Sequence, residues 1–290
     1  MTPLGHDGAI DHKRMTAHVR ALLGQGVDGV APFGTTGEGP SFSVAERSAG
    51  LDALLAAGIA PSQLLAATGC AAFADTVALT RHAVEAGCAR CLVLPPFFFK
   101  DVSDDAAYRY FAALIDAVSD ERLSLYLYHI PQFSGVAISA DVVAKLAADF
   151  PRVVAGVKDS GGDFTHTKAL LEHAPQLAIL IGHEPDLPRL MRAGGAGTIC
   201  GVANTFPRLV AALLKPSVTK EDEIRMAAFV EVIFRFPFLP AFKAIRAAQM
   251  NDAAWRMLRP PLFALNEGDR ARLFAALAAA GFPLATETEQ

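Results

Sequence analysis

Short apolar runs alternate with longer amphipathic patterns along most of the chain, and that alternation limits what it can fold into. Strand candidates are residues 29–33, 64–68, 91–94, 123–128, 153–157, 178–181 and 198–200. Between them, residues 11–23, 44–57, 74–86, 104–118, 140–148, 164–173, 187–193 and 207–214 carry helical spacing. Ser43, Ser103 and Ser139 stand where N-caps belong, and Gly87, Gly194 and Gly195 stand where helices would end. Strand–helix alternation of this kind implies parallel strands joined by right-handed crossovers. The pattern predicts an α/β chain, a (β/α)8 TIM barrel with one strand not visible; a doubly wound open sheet is the alternative. The strand not visible is the first. Only ten residues precede the helix at Asp11, so the first strand is either short, ending in Met1-Thr2-Pro3-Leu4, or completed upstream of Met1.

After Leu214 the alternation stops. Residues 220–233, 241–250, 252–258 and 270–280 read as helices, separated by Pro237, Pro240, Pro260 and Pro261. The expected organisation is therefore a barrel in residues 1–215 and a helical segment in 216–290, packed on the barrel or on a neighbouring subunit.

Composition excludes several classes. A net charge of −4 with no Lys/Arg cluster argues against a nucleic-acid surface. No apolar run reaches the roughly 18 residues of a membrane span, and no basic stretch followed by an apolar one opens the chain. A cytoplasmic protein is expected. Cys88 and Cys91 have the spacing of half a zinc site, but Cys70 and Cys200 are isolated and no histidine pair sits at ligand spacing beside them. Reduced core thiols and no metal are expected.

Residues 153–158, Val-Val-Ala-Gly-Val-Lys, place a lysine at the end of a run that otherwise reads as a buried strand. Lysine is costly to bury charged, and an amine that spends time neutral is a nucleophile toward a carbonyl. The plain reading is a side chain that snorkels to water at the strand end. Its surroundings decide between the two. In a barrel, catalytic groups come from strand C-terminal ends and the loops after them. Those positions hold Gly34-Thr35-Thr36-Gly37-Glu38-Gly39, Tyr126-Leu127-Tyr128-His129-Ile130-Pro131, Lys158, Gly182-His183-Glu184 and Gly201-Val202-Ala203-Asn204-Thr205. In the first, glycines let backbone N–H groups converge on an anion and the hydroxyls add donors; a tight strand–helix turn is the plain alternative. Tyr128 offers a phenol as acid or base, although Tyr126 shares its face and the pattern alone does not say which reaches the amine. Gly24-Gln25-Gly26-Val27-Asp28-Gly29 matches a dinucleotide fingerprint letter for letter, but it follows a helix and precedes a strand, the reverse of what a pyrophosphate site needs.

With these residues in view, the chain resembles the dihydrodipicolinate synthase / N-acetylneuraminate lyase family. The resemblance is carried by Gly34-Thr35-Thr36-Gly37-Glu38, Tyr128-His129-Ile130-Pro131, Gly156-Val157-Lys158-Asp159 and the Gly182 loop, in order and in spacing. It implies a (β/α)8 barrel with a C-terminal helical segment, a homotetramer, and condensation of enzyme-bound pyruvate with an aldehyde or the reverse cleavage. No separate cofactor is implied, since pyruvate is held as a Schiff base on Lys158. It further implies that Tyr128 shuttles protons, that Thr35 and Thr36 beside Gly34 hold the pyruvate carboxylate and relay protons, and that Gly182 and Ile199 line the pyruvate pocket.

Two departures bear on the second substrate. Synthases of the family carry an arginine for the aldehyde's carboxylate where this chain has Phe133, and the guanidinium that would pair with it is absent. They also donate a tyrosine across a subunit interface from a loop that here reads Pro95-Pro96-Phe97-Phe98-Phe99-Lys100. Ser160, His183 and Glu184 match positions that contact the distal substrate in sialic acid lyases. Phe97, Phe98, Phe99 and Phe133 offer either an apolar acceptor wall or plain packing. The expected function is a metal-independent 2-oxo acid aldolase acting on pyruvate and an aldehyde. The alternatives are a dihydrodipicolinate synthase with an altered acceptor site and a non-catalytic 2-oxo acid sensor.

Overall fold

The computed structural model of the chain describes residues 1–284. It divides into two compact units, Asp28–Cys200 and a second made of Met1–Val27 with the chain from Gly201 onward. The last residues of the expected helical segment, 285–290, lie outside the described residues.

The unit Asp28–Cys200 is built on six parallel strands: β1 (Ala66–Ala67), β2 (Arg90–Val93), β3 (Ser124–His129), β4 (Val154–Asp159), β5 (Ala178–Ile181) and β6 (Gly197–Thr198). Their order in the sheet is their order in the chain. Each connection carries a helix, as parallel neighbours require: Phe73–Glu85, Asp104–Val118, Ala140–Asp149, Phe164–His173 and Leu187–Arg192, while Val44–Ala56 precedes β1. The three serines cap as their positions suggest. Ser43 forms a capping box with Glu46, Ser103 accepts from the Ala106 N–H, and Ser139 accepts from the Val142 N–H. Strands covered on both faces need apolar residues on both. Leu92, Leu125, Leu127, Val157 and Ile179 of the sheet are buried, as are Phe111, Leu114, Val143, Leu146 and Leu170 of the helices.

The strands differ from the sequence reading at several points. Residues 29–33 do not form a full strand. Val30 bridges Leu64, and the Val30 and Pro32 carbonyls accept from Leu65 N at 3.0 Å and Ala67 N at 3.2 Å. Pro32 has no N–H to give, and Phe33 turns left-handed at φ 60°, which ends the extended backbone. The strand at 153–157 instead runs through Asp159, so Lys158 lies inside a strand and is paired on both sides. Leu4, expected at the end of a first strand, makes an antiparallel bridge with Ile10.

The second unit contains His12–Gly24, Pro207–Leu213, Lys220–Ile233, Phe238–Met250 and Glu267–Ala279. Phe206, Phe229 and Phe282 meet edge-to-face in its core. Pro240 does not break the helix around it. It sits in the first turn of Phe238–Met250, where an N–H would have no intrahelical partner. Among the described residues, no helix is long and apolar enough to cross a membrane.

Gly156 marks where the sheet is tightest. A Cβ there would lie 2.5 Å from the Ala178 carbonyl oxygen and 2.7 Å from the Tyr126 ring. Gly156→Ala is expected to destabilise the protein by ~1–3 kcal/mol through this overpacking, read as a lowered midpoint in urea unfolding. An unchanged midpoint would show that the strand spreads without strain.

Candidate active site

The C-terminal ends of β3 and β4 set the site. Their register pairs Tyr128 with Lys158 and His129 with Asp159. Successive strand residues face opposite ways, so Tyr128 and Lys158 share one face while His129 and Asp159 share the other. On the first face, Lys158 is 8% exposed and its Nζ donates to the Tyr128 hydroxyl at 3.0 Å. The same Nζ also lies 4.1 Å from the Tyr128 ring centroid. The alternative left open at Tyr126 is thereby resolved: Tyr128 meets the amine, while Tyr126 packs against the cluster of Leu92, Tyr128 and Ile130.

The glycine-threonine turn reaches the same group from the other direction. Thr35 Oγ1 lies 3.0 Å from the Tyr128 hydroxyl, so amine, phenol and hydroxyl form one hydrogen-bonded chain. The turn folds tightly on itself: Gly37 N and Gly39 N both donate to the Gly34 carbonyl, at 3.0 and 3.2 Å. A Cβ at Gly39 would lie 1.9 Å from the Phe33 carbonyl oxygen, which explains that glycine without reference to any ligand. Thr36 is half-buried in the same turn.

Gly182, after β5, closes a third side. A Cβ on it would sit 1.9 Å from Ser160 Oγ and 3.3 Å from Lys158 Cε. The absence of a side chain therefore leaves room where the amine's last carbons and the serine hydroxyl converge. The ladder continues past the strand ends here, with Ser160 N donating to the His129 carbonyl at 2.8 Å and Gly182 N to the Asp159 carbonyl at 2.7 Å. Glu184 is buried at the start of the short turn Glu184–Asp186. His183 bonds Asp186 at 2.8 Å; that carboxylate raises the imidazole's pKa, outweighing burial. Ile199 follows β6, and its N–H donates to the Ile181 carbonyl at 3.1 Å.

Phe133 is not drawn in with these residues. It lies on the single helical turn Pro131–Ser134 and is 56% exposed. Phe98 and Phe99 are 71% and 75% exposed. Lys100 links the two segments, with Nζ donating to the Ser134 carbonyl at 3.0 Å and to the Phe97 carbonyl. Directly behind the pair lie His129 and Asp159, which the motifs contain without a role of their own, and His166 of the helix Phe164–His173, which no motif contains. The signal was available: a polar residue follows each of Tyr128 and Lys158, and in a strand the next residue points into the helix layer.

Comparison with known proteins matches residues 1–280 to the model of the dihydrodipicolinate synthetase family. A DapA-like lyase of Chloroflexus aurantiacus is 36% identical, covering 95% of this chain and 93% of that protein. A 4-hydroxy-tetrahydrodipicolinate synthase of Azoarcus is 30% identical over 97% of this chain and 96% of its own. The crystal structure of dihydrodipicolinate synthase from Agrobacterium tumefaciens superposes with a TM-score of 0.91 at 38% identity, covering 97% of this chain and 96% of that one. With a family match over nearly its whole length and the lysine, tyrosine and threonine of the family's motifs in hydrogen-bonded sequence, this chain belongs to the dihydrodipicolinate synthetase family.

Proposed function

We propose that the protein is a class I lyase that makes or breaks a carbon–carbon bond between pyruvate and an aldehyde, and that Lys158, Tyr128 and Thr35 carry the chemistry. The observation that supports this most is the unbroken hydrogen-bonded chain from Lys158 Nζ through the Tyr128 hydroxyl to Thr35 Oγ1. In this reading Lys158 adds to the 2-oxo carbon, and loss of the ketone oxygen as water leaves an iminium. In the cleavage direction, the Tyr128 phenolate takes the proton of the 4-hydroxyl as the C3–C4 bond breaks. The aldehyde leaves, and the bond's electron pair stays on the lysine-bound three-carbon unit as an enamine. Protonation of that enamine carbon and hydrolysis release pyruvate and free Lys158. Thr35 accepts or returns the proton at the phenol. Gly34, Thr35 and Thr36 bind the carboxylate through backbone N–H groups and hydroxyls, and Gly182 and Ile199 line the three-carbon pocket. No metal or separate cofactor enters the scheme.

Ser160, Glu184 and Phe133 are assigned to the side that takes the aldehyde. The lack of an arginine at Phe133 favours an acceptor without the carboxylate of aspartate semialdehyde. The synthase names of the relatives favour a second reading, a dihydrodipicolinate synthase with an altered acceptor site. Pyruvate release from a panel of 4-hydroxy-2-oxo acids, set beside condensation of pyruvate with aspartate semialdehyde, separates the two. The resemblance also supports a closed eight-stranded barrel in residues 1–215 with residues 216–290 as a helical segment packed on it, assembled as a cytoplasmic homotetramer.

Borohydride reduction in the presence of pyruvate is expected to leave one permanent adduct, on Lys158, by peptide mass spectrometry. An unmodified Lys158 would sink the mechanism. Tyr128→Phe keeps the ring and removes the relay, and turnover is expected to fall by roughly 10²–10⁴-fold, with the adduct still trappable. Turnover near wild type would remove Tyr128 from the proton path. Gly182→Ala inserts a methyl against Ser160 and Lys158 and is expected to raise KM for pyruvate by ~10-fold or more, the scale of a mispositioned group. Unaltered steady-state kinetics would show that the pocket lies elsewhere.

A further inference from the structure

Behind the Lys158–Tyr128 pair, on the helix-facing side of β3 and β4, buried His129 and Asp159 form a cluster with half-buried His166. Asp159 Oδ2 accepts from His166 Nδ1 at 3.0 Å and from Thr167 Oγ1 at 2.7 Å, and Oδ1 accepts from Gly161 N at 2.9 Å. The other His166 nitrogen, Nε2, meets the Ile138 carbonyl at 2.9 Å. The Ile138 N–H donates to His129 Nδ1 at 3.1 Å, and the two imidazoles stack at 4.0 Å. Ile138 is thus held at both its backbone groups by the two rings.

The ligand atoms of His129, Asp159 and His166 lie within 4.8 Å of one another, the composition of a metal site. The geometry does not favour one. Rings stacked at 4.0 Å and inclined by only 21° cannot both aim an in-plane lone pair at one ion about 2.0–2.1 Å away. Both His166 nitrogens are also turned to acceptors, a carboxylate and a carbonyl. A neutral imidazole donates from one nitrogen only; both bonds are satisfied together only by the imidazolium.

We propose that His166 is a positioning residue: as an imidazolium bridging Asp159 and Ile138, it fixes the strand end that carries Lys158 against the segment that follows Tyr128. The inference rests on the lyase reading for its chemical consequence, and on geometry alone for the placement of Lys158. The bridge ties three segments. Asp159 is next to Lys158 on β4, and His129 is next to Tyr128 on β3. Ile138 lies beyond the turn that bears Phe133 and Ser134. A shift of β4 against β3 would change the 3.0 Å contact from amine to phenol, and displacements on the scale of 1 Å cost large factors in rate.

The charged groups around His166 agree with this assignment. Burial would push its pKa down, but the Asp159 carboxylate, the Ile138 carbonyl and Asp163 at the start of its own helix outweigh it and raise the pKa. His129, facing it from β3, is held neutral in the ordinary range, its pKa lowered to about 4 by burial and by His166. Asp159 is lowered because its three donors overcome burial. On the neighbouring helix Ala140–Asp149, Asp141 is engaged with His173 instead. A group whose folded pKa is raised contributes fully below its unfolded value and loses that contribution as pH rises through the folded one. The bridge is therefore complete below the ordinary imidazole range and loses one of its two bonds as pH rises through the raised pKa of His166, while Asp159, lowered, stays ionised.

The test compares wild type with His166→Gln and Asp159→Asn, each checked for a native circular dichroism spectrum. Lys158 modification is timed at pH 6 and pH 9 with borohydride and either pyruvate or formaldehyde, the latter a carbonyl that needs no carboxylate recognition. The ratio of wild-type to His166→Gln rates cancels the titration of the amine itself. It is expected to be about tenfold or more at pH 6 and to be smaller at pH 9. Asp159→Asn, lacking the charge that holds the proton on His166, is expected to show the alkaline loss at lower pH. A ratio near unity at both pH values, or one that does not change with pH, overturns the proposal. If wild type is modified by formaldehyde but not by pyruvate, the lyase reading fails while the formaldehyde ratio still decides the role of His166.

Discussion

The pairing of β3 with β4 is the constraint on which the rest of the site depends. One register places Tyr128 opposite Lys158 and His129 opposite Asp159. A slip by one residue would exchange the two faces and send the amine into the helix layer. Burial on both sides makes such a slip costly, because Leu125, Leu127, Val154 and Val157 would leave their places in the core. Packing energy spent on a parallel sheet thus becomes positional accuracy at an amine and a phenol 3.0 Å apart.

Glycines complete what the register begins, each for a different reason. Gly156 admits the Tyr126 ring, Gly39 lets the threonine turn close on the Phe33 carbonyl, and Gly182 leaves space beside Ser160 and the end of Lys158. The Gly39 case shows why a glycine-rich loop is an ambiguous sign of an anion site. Its missing Cβ is required by the backbone of the turn itself, whereas at Gly182 the neighbours are the side chains of Ser160 and Lys158.

Much of the fold was legible because periodicity and capping are local. Residues 104–118 and 164–173 are helical over the expected spans, and Ser43, Ser103 and Ser139 cap helices. Strand limits were less legible, because a strand ends where its partners end. Lys158 reads as a strand end until its pairing with Tyr128 and Leu180 extends β4 past it. Residues 29–33 have strand composition, but Pro32 and the left-handed Phe33 cut the pairing short. Pro240 reads as a break because its place in the first turn of a helix depends on where that helix starts.

The sequence by itself determined the chemistry on offer: a lysine in an apolar run, a tyrosine near a strand end, a hydroxyl-bearing glycine turn, and the absence of an arginine at Phe133. These follow from residue identity and short-range period. Tertiary structure alone decided which of Tyr126 and Tyr128 meets the amine, that Thr35 reaches the same phenol, and that His166, stacked on His129, joins Asp159 to Ile138 behind them. Each of those contacts joins residues whose separation is set by strand register and helix packing. Such distances are fixed only when the whole core has assembled, so no local pattern records them.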